Sequence, residues 1–170
     1  MSKILISGYY GFANAGDEAM LTAIIESLRQ VEKNVELTVL SGNPEDTAAK
    51  HQVCSVYRFN PLGIIRAMKD SELIISGGGS LLQDVTSKRS LLYYLSIIGL
   101  GKFFGKKVML FAQGIGPIRA KWARKLTSLV CNEADLITVR DSESAAELIE
   151  MGVKPEKITV TADSVLSLNP

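Results

Sequence analysis

Residues 3–21, KILISGYYGFANAGDEAML, run from a short apolar stretch through a glycine loop into a helical pattern. KILIS is apolar at successive positions, which is how a strand covered on both faces reads. DEAMLTAIIESLRQ, which follows, has the longer rhythm of a helix. Between them, Gly8, Gly11 and Gly16 supply a backbone that turns tightly and lets a ligand come close. Strand, glycine loop and helix in this order form the first half of a β-α-β unit.

From Gly11 to Glu18 the loop reads G-F-A-N-A-G-D-E, the glycine spacing of G-x-x-x-x-G-K-[ST]. Asp17 and Glu18 stand where that motif has the lysine that reaches the β and γ phosphates and the hydroxyl that holds magnesium. An acid in a phosphate cradle repels phosphate, so an NTPase loop is excluded. Asp17 then has two readings. It caps the following helix and complements its dipole, or it moves a proton on a bound hydroxyl as a general acid or base. One carboxylate can do both, because a capping oxygen leaves the other free. Glu18, one residue further on, reads as a surface acid complementing the dipole.

Outward from this unit the alternation repeats: VELTVL and PEDTAAK, QVCSVYRF and PLGIIRAMKD, ELIIS and the long segment after Gly79, KKVMLFAQ and RAKWARKLTSLVCNEA, DLITVR and DSESAAELIEMG, and last KITVTA. Apolar strands alternating with helices predict a Rossmann-like three-layer α/β/α sandwich with a mainly parallel sheet. Ligands of such sheets sit beyond the carboxyl ends of the strands. After KITVTA the chain reads ADSVLSLNP, with Asp163 at a strand edge and no closing helix, as at a domain boundary.

Three more loops lie at strand ends. ISGGGSLLQD supplies Gly77, Gly78, Gly79 and Ser80, with a helix expected from Leu81 and Leu82, so that three amides at a helix start make a site for an anion or a polyhydroxyl compound. Gln83 and Asp84, a turn on, reach a sugar hydroxyl or lie on a solvated helix face. FAQGIGPI places Gln113 at a strand end, and its Pro117 opens the next helix. RAKWARK beyond it, around Trp122, reads as a solvated amphipathic helix. LITVRDSES ends a strand at Arg140, whose fork grips a carboxylate or phosphate, and caps the next helix with Asp141 or Ser142. His51 is expected to face solvent without chemistry.

The chain has 170 residues, 46% hydrophobic and 22% charged, with a net charge of +1. That composition fits one compact domain and gives no reason to expect nucleic acid as a partner. Cys54 and Cys131, without a C-x-x-C or a histidine partner, read as reduced core residues. Reduced thiols and an N-terminus without a signal-peptide core point to the cytoplasm. LLYYLSIIGLGKFFG, 91–105, is broken by Gly99, Gly101 and Lys102 short of the ~18 residues a spanning helix needs, and reads as a buried helix.

Taken together, GYYGFANAGDEAML, ISGGGSLLQD, FAQGIGP and TVRDSES resemble the polysaccharide pyruvyl transferases, most closely the CsaB-type enzymes that pyruvylate bacterial cell-wall polymers. The first two motifs are the specific ones. The resemblance covers essentially the whole chain, and it implies the N-terminal half, 1–170, of a GT-B-like enzyme with two Rossmann-like domains. It implies transfer of a pyruvyl group from phosphoenolpyruvate, as co-substrate, to two hydroxyls of a sugar such as N-acetylmannosamine, as a ketal with release of phosphate. No metal and no resident cofactor are implied. Asp17 would be the catalytic acid or base; Asn14, Gly16, Gly77, Gly78, Gly79, Ser80, Gln113 and Arg140 would bind substrate. A lipid-linked acceptor would bring the protein to the inner face of the membrane. The family's second half carries the His and Arg expected to hold phosphoenolpyruvate and is not in this chain, so an uncovered face and homo-oligomer formation are expected. Two other readings remain: half of a GT-B glycosyltransferase using a nucleotide-sugar, and a non-catalytic nucleotide-binding Rossmann module.

Overall fold

The structure is a computed structural model and describes residues 1–161. Among the described residues there are eight strands: β1 (Lys3–Ser7), β2 (Glu36–Ser41), β3 (Cys54–Tyr57), β4 (Leu73–Ser76), β5 (Gly79–Leu82), β6 (Lys107–Ile115), β7 (Leu136–Val139) and β8 (Ile158–Val160). The helices are α1 (Ala15–Val31), α2 (Pro44–His51), α3 (Pro61–Asp70), α4 (Lys88–Phe103), α5 (Lys121–Glu133) and α6 (Ser142–Met151). The sheet runs in the order β3-β2-β1-β4-β6-β7-β8, and every pairing is parallel. The predicted Rossmann-like α/β sandwich is therefore the observed one. Asp163 and SVLSLNP lie outside the described residues.

Successive residues of a strand face opposite sides of a sheet, so an apolar run fills two cores at once. Ile4 and Ile6 of β1 join Val39 and Ile75 beneath Leu21, Ile24 and Ile25 of α1. Leu5, between them, joins Ile74, Val108 and Leu110 beneath α3, α4, α5 and α6, which contribute Met68, Leu95, Ile98, Cys131 and Leu148. Each such side chain, fully buried, contributes about 1.5–3 kcal/mol, so the sheet is held from both faces.

Four local expectations are corrected. No helix starts at the triple glycine: Gly79–Leu82 is strand, and α4 begins six residues later at Lys88. Strand β6 is nine residues long; β4 pairs with its first half, Leu73 to Ser76 opposite Lys107 to Leu110. The second half offers free pairing groups, and the chain jogs at Gly77–Gly78 to satisfy them with β5, Gly79 opposite Gln113 and Leu82 opposite Ile115. Pro117 does not open a helix either, since α5 starts at Lys121. Asp84 holds that approach, accepting from the amides of Arg119 (3.0 Å) and Ala120 (2.9 Å), and those bonds keep its carboxyl below the usual range. It is thus neither a sugar contact nor a bystander on a helix face. Cys131 is buried as expected, but Cys54 is exposed, because β3 is an edge strand. Helix α4 is the buried helix expected over 91–105, with Leu92, Leu100 and Phe103 exposed along it.

Helix α1 takes its cap from Asn14, whose side chain accepts from the amides of Gly16 (3.1 Å) and Asp17 (3.2 Å). Asn14→Ala is expected to lower stability by about 1 kcal/mol, the ordinary worth of an N-cap, in a denaturant titration of the chain; an unchanged midpoint would show that α1 is held by its packing alone.

Candidate functional site

Because β1, β4 and β6 are neighbours and parallel, the loops that leave their carboxyl ends meet on one rim. A cavity of about 460 Å³ opens there, lined by Tyr9 and Asp17 from the first loop and helix, Ser80, Leu81 and Gln83 from the β5 region, and Thr86, Ser90 and Tyr94 leading into α4. A larger hollow of about 770 Å³ lies at the other end of the sheet, around Met1, Lys33, Val35 and Val53. None of the four glycine and strand-end loops reaches it. The carboxyl-end cavity is the candidate site.

Asp17 stands in this cavity, and it is not the helix cap. Asn14 has that role, so both Asp17 oxygens are released from it. One of them lies against Gly79: a methyl group added there would come 3.3 Å from Asp17 Oδ1 and 3.0 Å from the end of Met20. Gly79 also has φ +91°, a conformation that favours glycine. Burial pushes the Asp17 carboxyl up from its ordinary value, and the neighbouring Glu18 adds to the rise. A half-buried carboxyl whose affinity for a proton is raised suits general acid or base work.

Glu18 is not a surface acid. Its Oε1 accepts from the Gly11 amide at 2.9 Å, and its Oε2 meets Nε2 of His51 at 3.2 Å. His51, at the last turn of α2, has only 10% of its side chain exposed, so it too departs from the expected solvent-facing position. Together they tether the glycine loop. The Gly42 amide, donating to the Tyr10 carbonyl at 2.9 Å, ties the same loop to the end of β2.

The triple glycine is less open than expected. The Gly77 amide donates to the Ser7 carbonyl at 2.7 Å, and a side chain at Gly77 would run into the Tyr10 hydroxyl. Its smallness serves packing. Gln113 does not face ligand: it is fully buried, and its Nε2 donates to the carbonyls of Ser76 (3.0 Å) and Gly77 (2.7 Å), so it clasps the jog between β4 and β5. Ser80, by contrast, is exposed, and Arg140 reaches it, Nη2 to Oγ at 3.1 Å, with Nε 3.4 Å from Asp141 Oδ2. The structure thus brings Asp17, Gly79, Ser80 and Arg140 to one rim; Asn14 and Gly16 stand behind them at the start of α1. Among the described residues no three His, Cys, Asp or Glu side chains gather as a metal site requires.

Sequence reasoning missed Tyr9 and Tyr94, which form walls of the cavity, and Arg58 behind them. Tyr9 sits in the quoted loop, but Tyr94 lies 85 positions away on α4. Nothing in spacing joins the two.

Gly114 lies under the Arg140 guanidinium, so a methyl group there would displace the end of that flexible side chain. Gly114→Ala is expected to leave the fold intact and break the Arg140–Ser80 contact, weakening ligand binding by about tenfold, the worth of one charge-assisted hydrogen bond. Calorimetry on both proteins checks it, and unchanged affinity would remove Arg140 from the site.

The fold recurs in solved structures whose sequences are only distantly similar. Anabaena Alr3699/HepE in complex with UDP and glucose superposes with a TM-score of 0.63 at 13% identity, over 96% of this chain and 44% of that one. UDP-GlcNAc 2-epimerase from Neisseria meningitidis bound to UDP-GlcNAc gives 0.58 at 14%, over 98% and 47%. The lipopolysaccharide outer core galactosyltransferase WaaB in its apo form gives 0.55 at 14%, over 95% and 45%. This chain therefore spans less than half the length of each. No curated protein matches the sequence. The family model for polysaccharide pyruvyl transferase matches residues 14–170, from the cap of α1 onward, and the chain belongs to that family.

Proposed function

We propose that this chain is the N-terminal, acceptor-side domain of an enzyme that transfers a pyruvyl group from phosphoenolpyruvate to a sugar of a cell-wall polysaccharide or its lipid-linked precursor. The observation that carries the reading is Asp17: a half-buried carboxyl with raised proton affinity, released from capping by Asn14, in a cavity at the strand ends where a phosphate-binding loop would have its lysine. Two C–O bonds form at C2 of phosphoenolpyruvate and the bond from C2 to the phosphate oxygen breaks. One hydroxyl proton of the sugar ends on the C3 methylene, which becomes a methyl group; the other leaves with phosphate. Asp17 takes a proton from the attacking hydroxyl and passes it on, while Arg140 and Ser80 orient an oxygen-rich group at the rim.

The donor's phosphate and carboxylate need cations, and we assign these, as the resemblance implies, to a second domain of similar size. The shares of 44–48% that this chain covers in the solved neighbours support a partner domain of that size. N-acetylmannosamine is the acceptor sugar we favour, and the cytoplasm the site of action. No helix among the described residues is long and apolar enough to cross a membrane. The second reading, half of a glycosyltransferase that uses a nucleotide-sugar, is favoured by the UDP and UDP-GlcNAc named in the neighbouring structures.

The deciding experiment incubates the protein containing both domains with phosphoenolpyruvate and a lipid-linked aminosugar. Acceptor-dependent phosphate release with a ketal mass gain is expected, and Asp17→Asn should lower the rate by about 10²–10⁴-fold; full turnover by the variant would exclude Asp17 from the chemistry. Consumption of a nucleotide-sugar without phosphoenolpyruvate turnover would move the assignment to the glycosyltransferase.

Asp17 also carries a stability signature. Its folded carboxyl holds a proton more tightly than an unfolded one, so the folded state binds more protons through the carboxylate range and stability falls as pH rises through it. Asp17→Asn is expected to raise the melting temperature at pH 7, with the gain shrinking as pH falls through the raised folded value and gone below the unfolded carboxylate value. A gain that grew on acidification would mean that the group is stabilised in its charged form.

A further inference from the structure

The strongest unexplained feature outside the assigned residues is Arg58, just past the carboxyl end of β3. It is 5% exposed, and its guanidinium carbon lies 4.5–5.9 Å from the ring centres of five aromatic residues: Tyr9 and Phe12 of the first loop, Phe59, and Tyr93 and Tyr94 of α4. Its backbone is fixed on both sides, the amide to the Ser41 carbonyl (3.0 Å) and the carbonyl to the Tyr93 hydroxyl (2.8 Å). Among the described residues no carboxylate pairs with it, and its Nε is buried without a hydrogen-bond partner. Ring faces offset part of the cost of burying a cation, but they do not satisfy its N–H donors as oxygen does.

A second buried group nearby has the same deficit. Tyr94 is 3% exposed, its hydroxyl makes no hydrogen bond of full geometry although the Arg58 guanidinium lies beside it, and it lines the candidate cavity directly. Burial keeps the phenol protonated, so it offers a donor. A guanidinium can only donate. Arg58 does not line the cavity itself; Tyr9, which does, has its ring centre 5.9 Å from the guanidinium carbon, is 42% exposed and is held by a stack on Phe12 at 4.3 Å.

We propose that Arg58 and the Tyr94 hydroxyl form an oxyanion-binding subsite beside the cavity that holds Asp17, taking the phosphate or carboxylate group of a bound substrate as the Tyr9 ring turns aside. The subsite would give the site two functions: an acid for a hydroxyl and two donors for an anion. It uses the cavity of the proposed reaction but not the identity of the donor. The same chemistry can be brought by the phosphate of a phosphorylated sugar acceptor or by phosphoenolpyruvate itself.

The test is calorimetry on the chain with four probes: N-acetylmannosamine, N-acetylmannosamine 1-phosphate, phosphoenolpyruvate and uridine diphosphate. The expected result is that the sugar phosphate or phosphoenolpyruvate binds about tenfold or more tighter than the neutral sugar, the worth of a buried hydrogen bond to a charged group. Whichever binds names the source. Arg58→Met should erase that preference and leave the neutral sugar's affinity unchanged; Arg58→Lys should keep part of it. Tyr94→Phe, which removes one oxygen and keeps the ring cage, should lower only the anion's affinity. Equal losses for neutral and charged probes in Arg58→Met, or no preference for anions in the parent chain, would overturn the proposal and leave Arg58 as the peg that positions the aromatic loop. Arg58-dependent binding of uridine diphosphate alone, with no turnover of phosphoenolpyruvate by the two-domain protein, would keep the subsite and overturn the pyruvyl transfer reading.

Discussion

Strand β6 is longer than its neighbour β4 by five residues, and the site depends on how that difference is resolved. A strand in the middle of a parallel sheet leaves no backbone donor or acceptor unpaired without cost. The chain meets the demand by stepping across at Gly77–Gly78 and resuming as β5 beside the second half of β6. The step itself has carbonyls with no strand opposite them, and the buried Gln113 amide donates to those of Ser76 and Gly77. Gly79 then arrives under Asp17 and Ser80 within reach of Arg140. If Gln113 were shorter, the jog would lose its clasp and the rim its register.

Around this jog, neighbouring polar residues divide tasks that one residue type could have done alone. Asn14, Asp17 and Glu18 all carry oxygens near the start of α1. Asn14 takes the amides of the first turn, Glu18 turns back to the Gly11 amide and His51, and Asp17 is left facing the cavity. The separation matters for charge. A carboxylate that accepted the cap amides would be stabilised as an anion and lose proton affinity, whereas a half-buried carboxyl without those bonds gains it. The capping asparagine thus leaves Asp17 with its raised proton affinity by sparing it a structural role. Beside the cavity, Arg58 and five rings pack the first loop against α4, so the loop is braced at both ends by interactions between distant parts of the chain.

How far the chain could be read in advance depended on the range of the interaction concerned. Parallel strands and their helices were legible because the signal is local: residues 73–75 are apolar in succession and Pro61 opens α3 at the position its fixed φ favours. Candidate residues at strand ends followed from topology, so Asp17, Gly79, Ser80 and Arg140 were found. Where a residue's role depends on what lies opposite it, the reading failed. Gly79-Ser80-Leu81-Leu82 is as good a helix start as a strand until β6 offers it pairing groups, and Gln113 at a strand end is a ligand contact until the jog takes its amide.

The amino-acid sequence by itself determined the layer architecture, the family and which loops meet at the carboxyl ends of the strands, because periodicity, glycine placement and strand order act over a few residues or one crossover. Tertiary structure alone decided which carboxylate is free, which glycines face the cavity, and that Arg58 sits unpaired among rings contributed by residues 9, 12, 59, 93 and 94. These are questions of desolvation and of hydrogen-bond partners, and both are set by groups that meet only when the sheet closes.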